Sequence, residues 1–174
     1  MDAAPPARIE PATAADVPAI VERWADLLAT HAALETALDA ALYTPAPHAA
    51  ATYAAFVRRL LDRRGSVVLV ARLPDQPVAG YLLGGPGQRG PTWAVRDIGM
   101  IFDLVVAPGE RRAGIGRALV QAALARFRRQ GLSHAQVNFA PDNPEAARFW
   151  PGLGFQTLLY EAYLPLAGDP PGGP

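Results

Sequence analysis

Hydrophobic spacing divides the chain into stretches of two periods. Ile20, Trp24, Leu27 and Leu28 recur at helical spacing behind Thr13 and Asp16, either of which can cap a helix. A second helical stripe runs through Tyr53, Phe56, Val57, Leu60 and Leu61, with Gly65 suited to its C′ position. Between them, "THAALETALDAALYTPAP" reads as a short helix or as an irregular loop ended by Pro45 and Pro47. The period then falls to two. "SVVLVARL" and "VAGYLLGG", joined by "PDQP", predict a hairpin, and "GPGQRGPT" has no period. "AVRDIGMIFDLVVA" predicts a long strand, with Ile98, Met100, Phe102, Leu104 and Val106 on one face. Asp97, Gly99, Ile101, Asp103 and Val105 take the other. Ile115, Leu119, Ala122, Ala123 and Phe127 then mark a helix that Gly131 stops. "ARIEPA" and "SHAQVNFA" read as short strands, "NPEAARFWPGL" as a helix ended or kinked by Pro151, and "FQTLLYEAYLPL" as a last strand. This order gives a mixed sheet with helices on its faces, α+β or α/β in class.

Composition narrows the chemistry. A length of 174 residues favours one domain, expected over residues 8–166, with Pro/Gly-rich ends at 1–7 and 167–174 frayed. The chain has no cysteine, which excludes disulfides, thiolate metal sites and a cysteinyl intermediate. His31, His48 and His134 show no metal-ligand spacing, so no metal is expected. Sixteen basic residues, all arginine, balance sixteen acidic ones, which gives no reason to expect a nucleic-acid or membrane partner. No apolar run reaches the ~20 residues that span a bilayer. "MDAAPPARIEP" lacks the pattern of a secretory signal, so a cytoplasmic protein is expected.

The stretch "VVAPGERRAGIGRALV" carries the strongest chemical signal. It leaves a β-branched run and places Gly114 and Gly116 at the start of a helix, where glycine is a poor helix former. The first N–H groups of a helix lack internal partners and sit at the positive end of its dipole. Glycine there removes the Cβ that would hold a phosphate away from the backbone. Arg111, Arg112 and Arg117 add charge, so the stretch suits a di- or polyphosphate. A Walker loop fails because no lysine follows; a dinucleotide fingerprint fails because Leu119 stands where its third glycine should be. A helix start with solvated arginines remains the plain alternative.

"FDLVVAPGERRAGIGRALV", then a strand, then "NPEAARFWPGLGF" resembles the GNAT superfamily of acyl-CoA-dependent N-acetyltransferases. Arg111, Gly114 and Gly116 meet that family's Q/R-x-x-G-x-G/A motif, and Leu104, Val105 and Val106 match its preceding strand. Asn143, Ala146, Phe149, Gly154 and Phe155 meet its second signature. The clear match covers roughly residues 95–158. The resemblance implies a three-layer α+β domain with a mixed, mostly antiparallel sheet of about six to seven strands. It implies an acetyltransferase using acetyl-CoA and an amine acceptor, without a covalent enzyme intermediate, and a homodimer as one assembly.

Residue by residue, the resemblance puts the pyrophosphate of coenzyme A on Arg111, Arg112, Ala113, Gly114, Ile115, Gly116 and Arg117. The pantetheine arm would pair with Leu104, Val105 and Val106 and meet Asn143, Ala146 and Phe149. Asn143 can equally be a helix N-cap before Pro144, and Phe149 and Phe155 can be core. A backbone N–H near Val105 would stabilise the oxyanion. Trp150 stands where the family often has a tyrosine acid, which leaves Tyr160, Tyr163, Tyr43, Tyr81 or water for that task. Met100 and Phe102 occupy the positions of a common strand glutamate. Asp103 is the nearest acid, either a base or amine binder, or a carboxylate paired with an arginine. For the acceptor, the resemblance points to Trp24, His31, Glu35, Asp39 and Trp93, each also readable as packing or surface. A non-catalytic acyl-CoA-binding or regulatory module on the same fold, and a nucleotide-binding protein of another fold, are the rival readings.

Overall fold

A computed structural model of the chain describes residues 7–32 and 44–164. Five strands form one sheet in the order β1-β2-β3-β4-β5: Arg8–Pro11, Val67–Leu73, Gln76–Gln88, Asp97–Val106 and Ala135–Val137. The first four pair antiparallel; β5 joins β4 in parallel. Among the described residues, four α-helices flank the sheet: α1 (Val17–Ala32), α2 (Ala49–Asp62), α3 (Ile115–Arg129) and α4 (Pro144–Phe149).

The sheet separates two cores, and β2 shows why its sequence is apolar throughout. Val68 and Val70 pack under α1 and α2 with Ile20, Tyr53 and Val57, while Val67, Leu69 and Ala71 pack under α3 with Leu119 and Phe127. A strand covered on both faces needs no polar alternation. Close approach of α3 is allowed by two glycines on neighbouring strands. A Cβ on Gly99 would stand 2.3 Å from the Phe127 ring, and one on Gly84 3.2 Å from it.

Several expectations shift. β3 extends to Gln88, taking in the first half of the expected aperiodic loop 85–92. Pro86 is tolerated there because β2 has already ended opposite Gly84. Gly65 lies one residue beyond C′, at φ 87 in a turn closed from Ser66 to Arg63. The expected last strand is absent: residues 155–164 carry no strand, so the described sheet has five strands rather than six or seven. Leu158, Leu159, Tyr160 and Leu164, the large apolar side chains of that stretch, are all exposed.

A charged clamp ties the N-terminal turn to the sheet. Arg72 on β2 holds Asp16 through two nitrogens at 2.9 and 3.0 Å and reaches Glu10 at 2.7 Å. The Thr13 N–H and hydroxyl also donate to Asp16, at 2.8 and 3.0 Å. Burial alone would raise the Asp16 pKa; the Arg72 guanidinium and the Thr13 donors outweigh it and hold the carboxyl below its ordinary value. A depressed carboxylate contributes stability that is complete above the unfolded value near 3.9 and is lost as pH falls through the folded one. Two outcomes follow for chemical denaturation. Arg72→Met is expected to cost about 3 kcal/mol at neutral pH, since it strands a buried carboxylate. The stability gap between wild type and Asp16→Asn should shrink as pH is lowered from 5 towards 2.

Candidate active site

One extra residue in β4 shapes the site. Leu83 pairs with Asp103 but Gly84 pairs with Ile101, so Phe102 is bulged out of register with β3. A bulge of one residue inverts the facing of everything beyond it. The expected alternation therefore breaks. Phe102 and Val105 pack into the core under α1 and α2, whereas Ile101, Leu104 and Val106 pack on the α3 side. Asp103 follows Phe102 onto the α1/α2 side, where its Oδ2 accepts the Tyr53 hydroxyl at 2.7 Å.

The same region of β4 has a bare edge. β5 pairs only with Gly99, Met100 and Ile101. From Phe102 to Val106, β4 keeps β3 on one side and has no strand on the other among the described residues. In an antiparallel pair, alternate backbone groups turn away from the partner, so this edge presents free donors and acceptors. A cavity of about 480 Å³ opens along it. Its wall includes Leu104, Val105 and Val106, the α3 entry at Arg111, Arg112, Gly114, Ile115, Gly116 and Arg117, and Asn143, Ala146 and Phe149 near α4. Of the thirteen residues expected at the donor, only Ala113 is not part of the lining.

Gly114 is the N-cap of α3 at φ 82, a left-handed conformation that glycine adopts without strain. An added Cβ there would meet no protein atom within 4 Å. Arg112, at φ 67, adopts the same region without being glycine. A methyl on Gly116 would make ordinary contact with the Phe149 ring at 3.4 Å. Asn143 caps α4, its Oδ1 accepting the N–H groups of Glu145 and Ala146 at 3.0 and 3.1 Å. The cap engages only this oxygen and leaves the amide nitrogen as a donor.

Some lining residues carried no signal that sequence reasoning used. Thr30 reaches the cavity from α1, and Glu110, Glu145 and Arg148 add to the wall, beside Leu27 of the α1 stripe and Trp150 of the second signature. Glu145 and Arg148 stand inside the second signature, where only the motif positions drew notice. Arg111 is bound to Glu145 at 3.2 Å and to the Val106 carbonyl at 3.4 Å. Among the described residues, no ion pair engages Arg112, Arg117 or Arg148.

The acceptor-side expectations separate. Trp24 stacks on Tyr53 at 4.4 Å, and the charges of His31 and Asp103 interact. Burial lowers the His31 pKa, and Asp103 offsets part of that. Burial raises the Asp103 pKa, opposed by the Tyr53 hydrogen bond and by His31. Glu35, Asp39 and Tyr43 lie outside the described residues. Tyr160 and Tyr163 do not line the cavity; both are exposed, and Tyr163 donates to Glu161. They fail as cavity tyrosines because the strand expected to carry them is not formed. Trp93 is 56% exposed, under the Arg89 guanidinium, in the loop before β4. That loop precedes Asp97, roughly 25 Å along the strand from the cavity. Trp150 is buried, packed edge-on against Phe149 and Phe155.

Comparison with known protein families decides what this arrangement is: a model described as the acetyltransferase (GNAT) family matches residues 31–155, more than two thirds of the chain. The chain belongs to the GNAT acetyltransferase family. A mycothiol acetyltransferase of Frankia casuarinae is 38% identical over 62 residues, which are 36% of this chain and 18% of that protein. The chain thus spans about a fifth of the length of the curated relative it matches. Two solved structures share the GNAT fold over almost their whole length. A tetramutant of the BH1408 protein of Bacillus halodurans has a TM-score of 0.75 at 21% identity, covering 91% of this chain and 99% of the other. An aminoglycoside antibiotic 6'-N-acetyltransferase of Acinetobacter haemolyticus has 0.69 at 18% identity, covering 93% and 99%.

Two substitutions test the GNAT donor loop. Gly114→Leu forces a branched residue into a left-handed conformation, a cost of about 1–2 kcal/mol, and fills the space the glycine leaves open. The variant should remain folded with a slightly lower melting temperature and lose all thermal stabilisation by coenzyme A. Glu145→Gln removes a negative charge from the wall and releases Arg111. Calorimetry should show coenzyme A binding several-fold tighter at low salt, with the gain shrinking at high salt.

Proposed function

We propose that this GNAT domain transfers the acetyl group of acetyl-CoA directly to a primary amine of a small molecule or protein, with no covalent enzyme intermediate. The observation that carries this reading is the meeting, in one cavity, of the α3 N-terminus and the unpaired edge of β4. A diphosphate needs the first, and the amides of a pantetheine arm need the second. The donor supplies an activated acyl group; the protein's residues bind, orient and manage the proton.

In this reading the N–H groups at the start of α3 hold the diphosphate, with Arg112 and Arg117 as counter-charges. The Leu104–Val106 edge holds the arm as an added strand would, and a backbone N–H near Val105 stabilises the developing oxyanion. Asp103 receives the proton of the attacking amine. Burial has lifted its pKa towards the operating range of a general base. Trp24 and His31 on α1 face the same side and mark where the acceptor approaches. Relatives named for mycothiol and aminoglycoside acetylation put small amine-bearing molecules first among acceptors to test.

A second reading, an acyl-CoA-binding module without turnover, is favoured by one observation. Trp150 is buried at the position where a tyrosine acid is common, and an indole N–H is not a useful acid. Thiol release from acetyl-CoA over an amine panel separates the two readings, since stoichiometric binding without release on any amine supports the second. Within the first reading, Asp103→Asn should lower turnover by roughly 10²–10⁴-fold while leaving acetyl-CoA affinity unchanged. Undiminished turnover removes Asp103 from the mechanism.

A further inference from the structure

Asp103 is the end of a buried chain of hydroxyls. Its Oδ2 accepts the Tyr53 hydroxyl at 2.7 Å, and the Tyr53 oxygen lies 2.9 Å from that of Tyr81. Counting protons fixes the direction. An ionised carboxylate only accepts, so the single proton of Tyr53 goes to Asp103, and the Tyr81 proton goes to Tyr53. Burial, reinforced by the nearby Asp103 charge, pushes both phenols far above their ordinary pKa, so both remain donors at any working pH.

The chain is held from three elements. Tyr53 comes from α2 and is stacked on Trp24 of α1 with an interplanar angle of 10°. Tyr81 is fully buried on β3, opposite Val105. Among the described residues, the other groups that act on this cluster come from α1: His31 faces Asp103, and Asp26, ion-paired with Arg23 at 2.9 Å, acts on Tyr81.

We infer that Tyr53, oriented by Trp24 and Tyr81, is a positioning residue: it ties down Asp103 Oδ2 and so makes Oδ1 the oxygen that takes the acceptor's proton. This rests on Asp103 being the proton acceptor. In the step it serves, the amine N–H bond breaks and the Oδ1–H bond forms. The nitrogen's electron pair forms the amide bond, and the thioester sulfur leaves with the pair of the C–S bond. The Tyr53 hydrogen bond favours the ionised carboxylate against the opposing effect of burial. Removing it must move the Asp103 titration to higher pH.

Tyr53→Phe keeps the ring on Trp24 and deletes only the donor. The acid limb of kcat/KM against pH should rise by about one unit, the size expected for one hydrogen bond to a charged group. The Asp103 carboxyl resonance, followed by carbon NMR in the protein without ligands, should titrate higher by the same amount. Tyr81→Phe, which weakens the chain one link further back, should move both in the same direction by less, with the KM for acetyl-CoA unchanged in either variant. If Asp103→Asn abolishes turnover but both phenylalanine variants titrate like wild type, the positioning role is overturned, even if their melting temperatures fall. If Asp103→Asn leaves turnover intact, the failure lies in the reading of Asp103 as proton acceptor, and the positioning role falls with it.

Discussion

Phe102 is one residue too many for the ladder between β3 and β4, and much of the site follows from that surplus. Had β4 alternated regularly through Phe102, Asp103 would share the face of Gly99 and Ile101 and point into the apolar layer beneath α3. A carboxylate there would have no donor within reach and would cost several kcal/mol to bury. With the bulge, Asp103 turns to the layer where Tyr53 waits, and Leu104 and Val106 turn to the layer of α3. Just past the bulge, β4 runs on beyond the three residues that pair with β5 and leaves its edge open.

The sheet thus separates two electrostatic tasks. On one side, the N-terminus of α3 and the arginines around it favour an anion, and Glu145 supplies a local counter-charge through Arg111. On the other, Asp103 sits among phenols and aromatic rings in a poorly hydrated layer that disfavours its charge. These environments would interfere if they were contiguous. A buried carboxylate close to unpaired arginines would be held ionised. Leu104 and Val106 face the α3 layer and Asp103 the α1/α2 layer, while the edge of β4 remains common to both.

Local reading of the chain did well where local physics decides. α3 and its glycine entry, the capping asparagine of α4 and the stripe of α2 are each set by residues within a few positions of one another. Twelve of the thirteen residues expected at the donor accordingly line one cavity. The reading of β4 was wrong in an instructive way. Alternation in one strand assumes an unbroken ladder, and the bulge exists only in relation to β3. Tyr53 was taken for a core residue of α2, and it is one; its hydroxyl became informative only when folding brought it to Asp103, fifty positions away.

The last strand and the loop at Trp93 show the opposite error. Leu158, Tyr160, Ala162 and Leu164 alternate as a strand should, yet residues 155–164 carry none, and Trp93, one candidate for the acceptor side, lies before Asp97 at the far end of β4. The sequence by itself determined the stripes of α1, α2 and α3, the strands β2 and β4, and where α3 must begin. These follow from periodicity, from capping and from the steric freedom of glycine, all short-range. Only the tertiary structure decided which face Asp103 occupies, which tyrosine holds it, and which stretch of β4 is left without a neighbour. Those depend on register between strands and on contacts across the sheet, and no single segment contains that information.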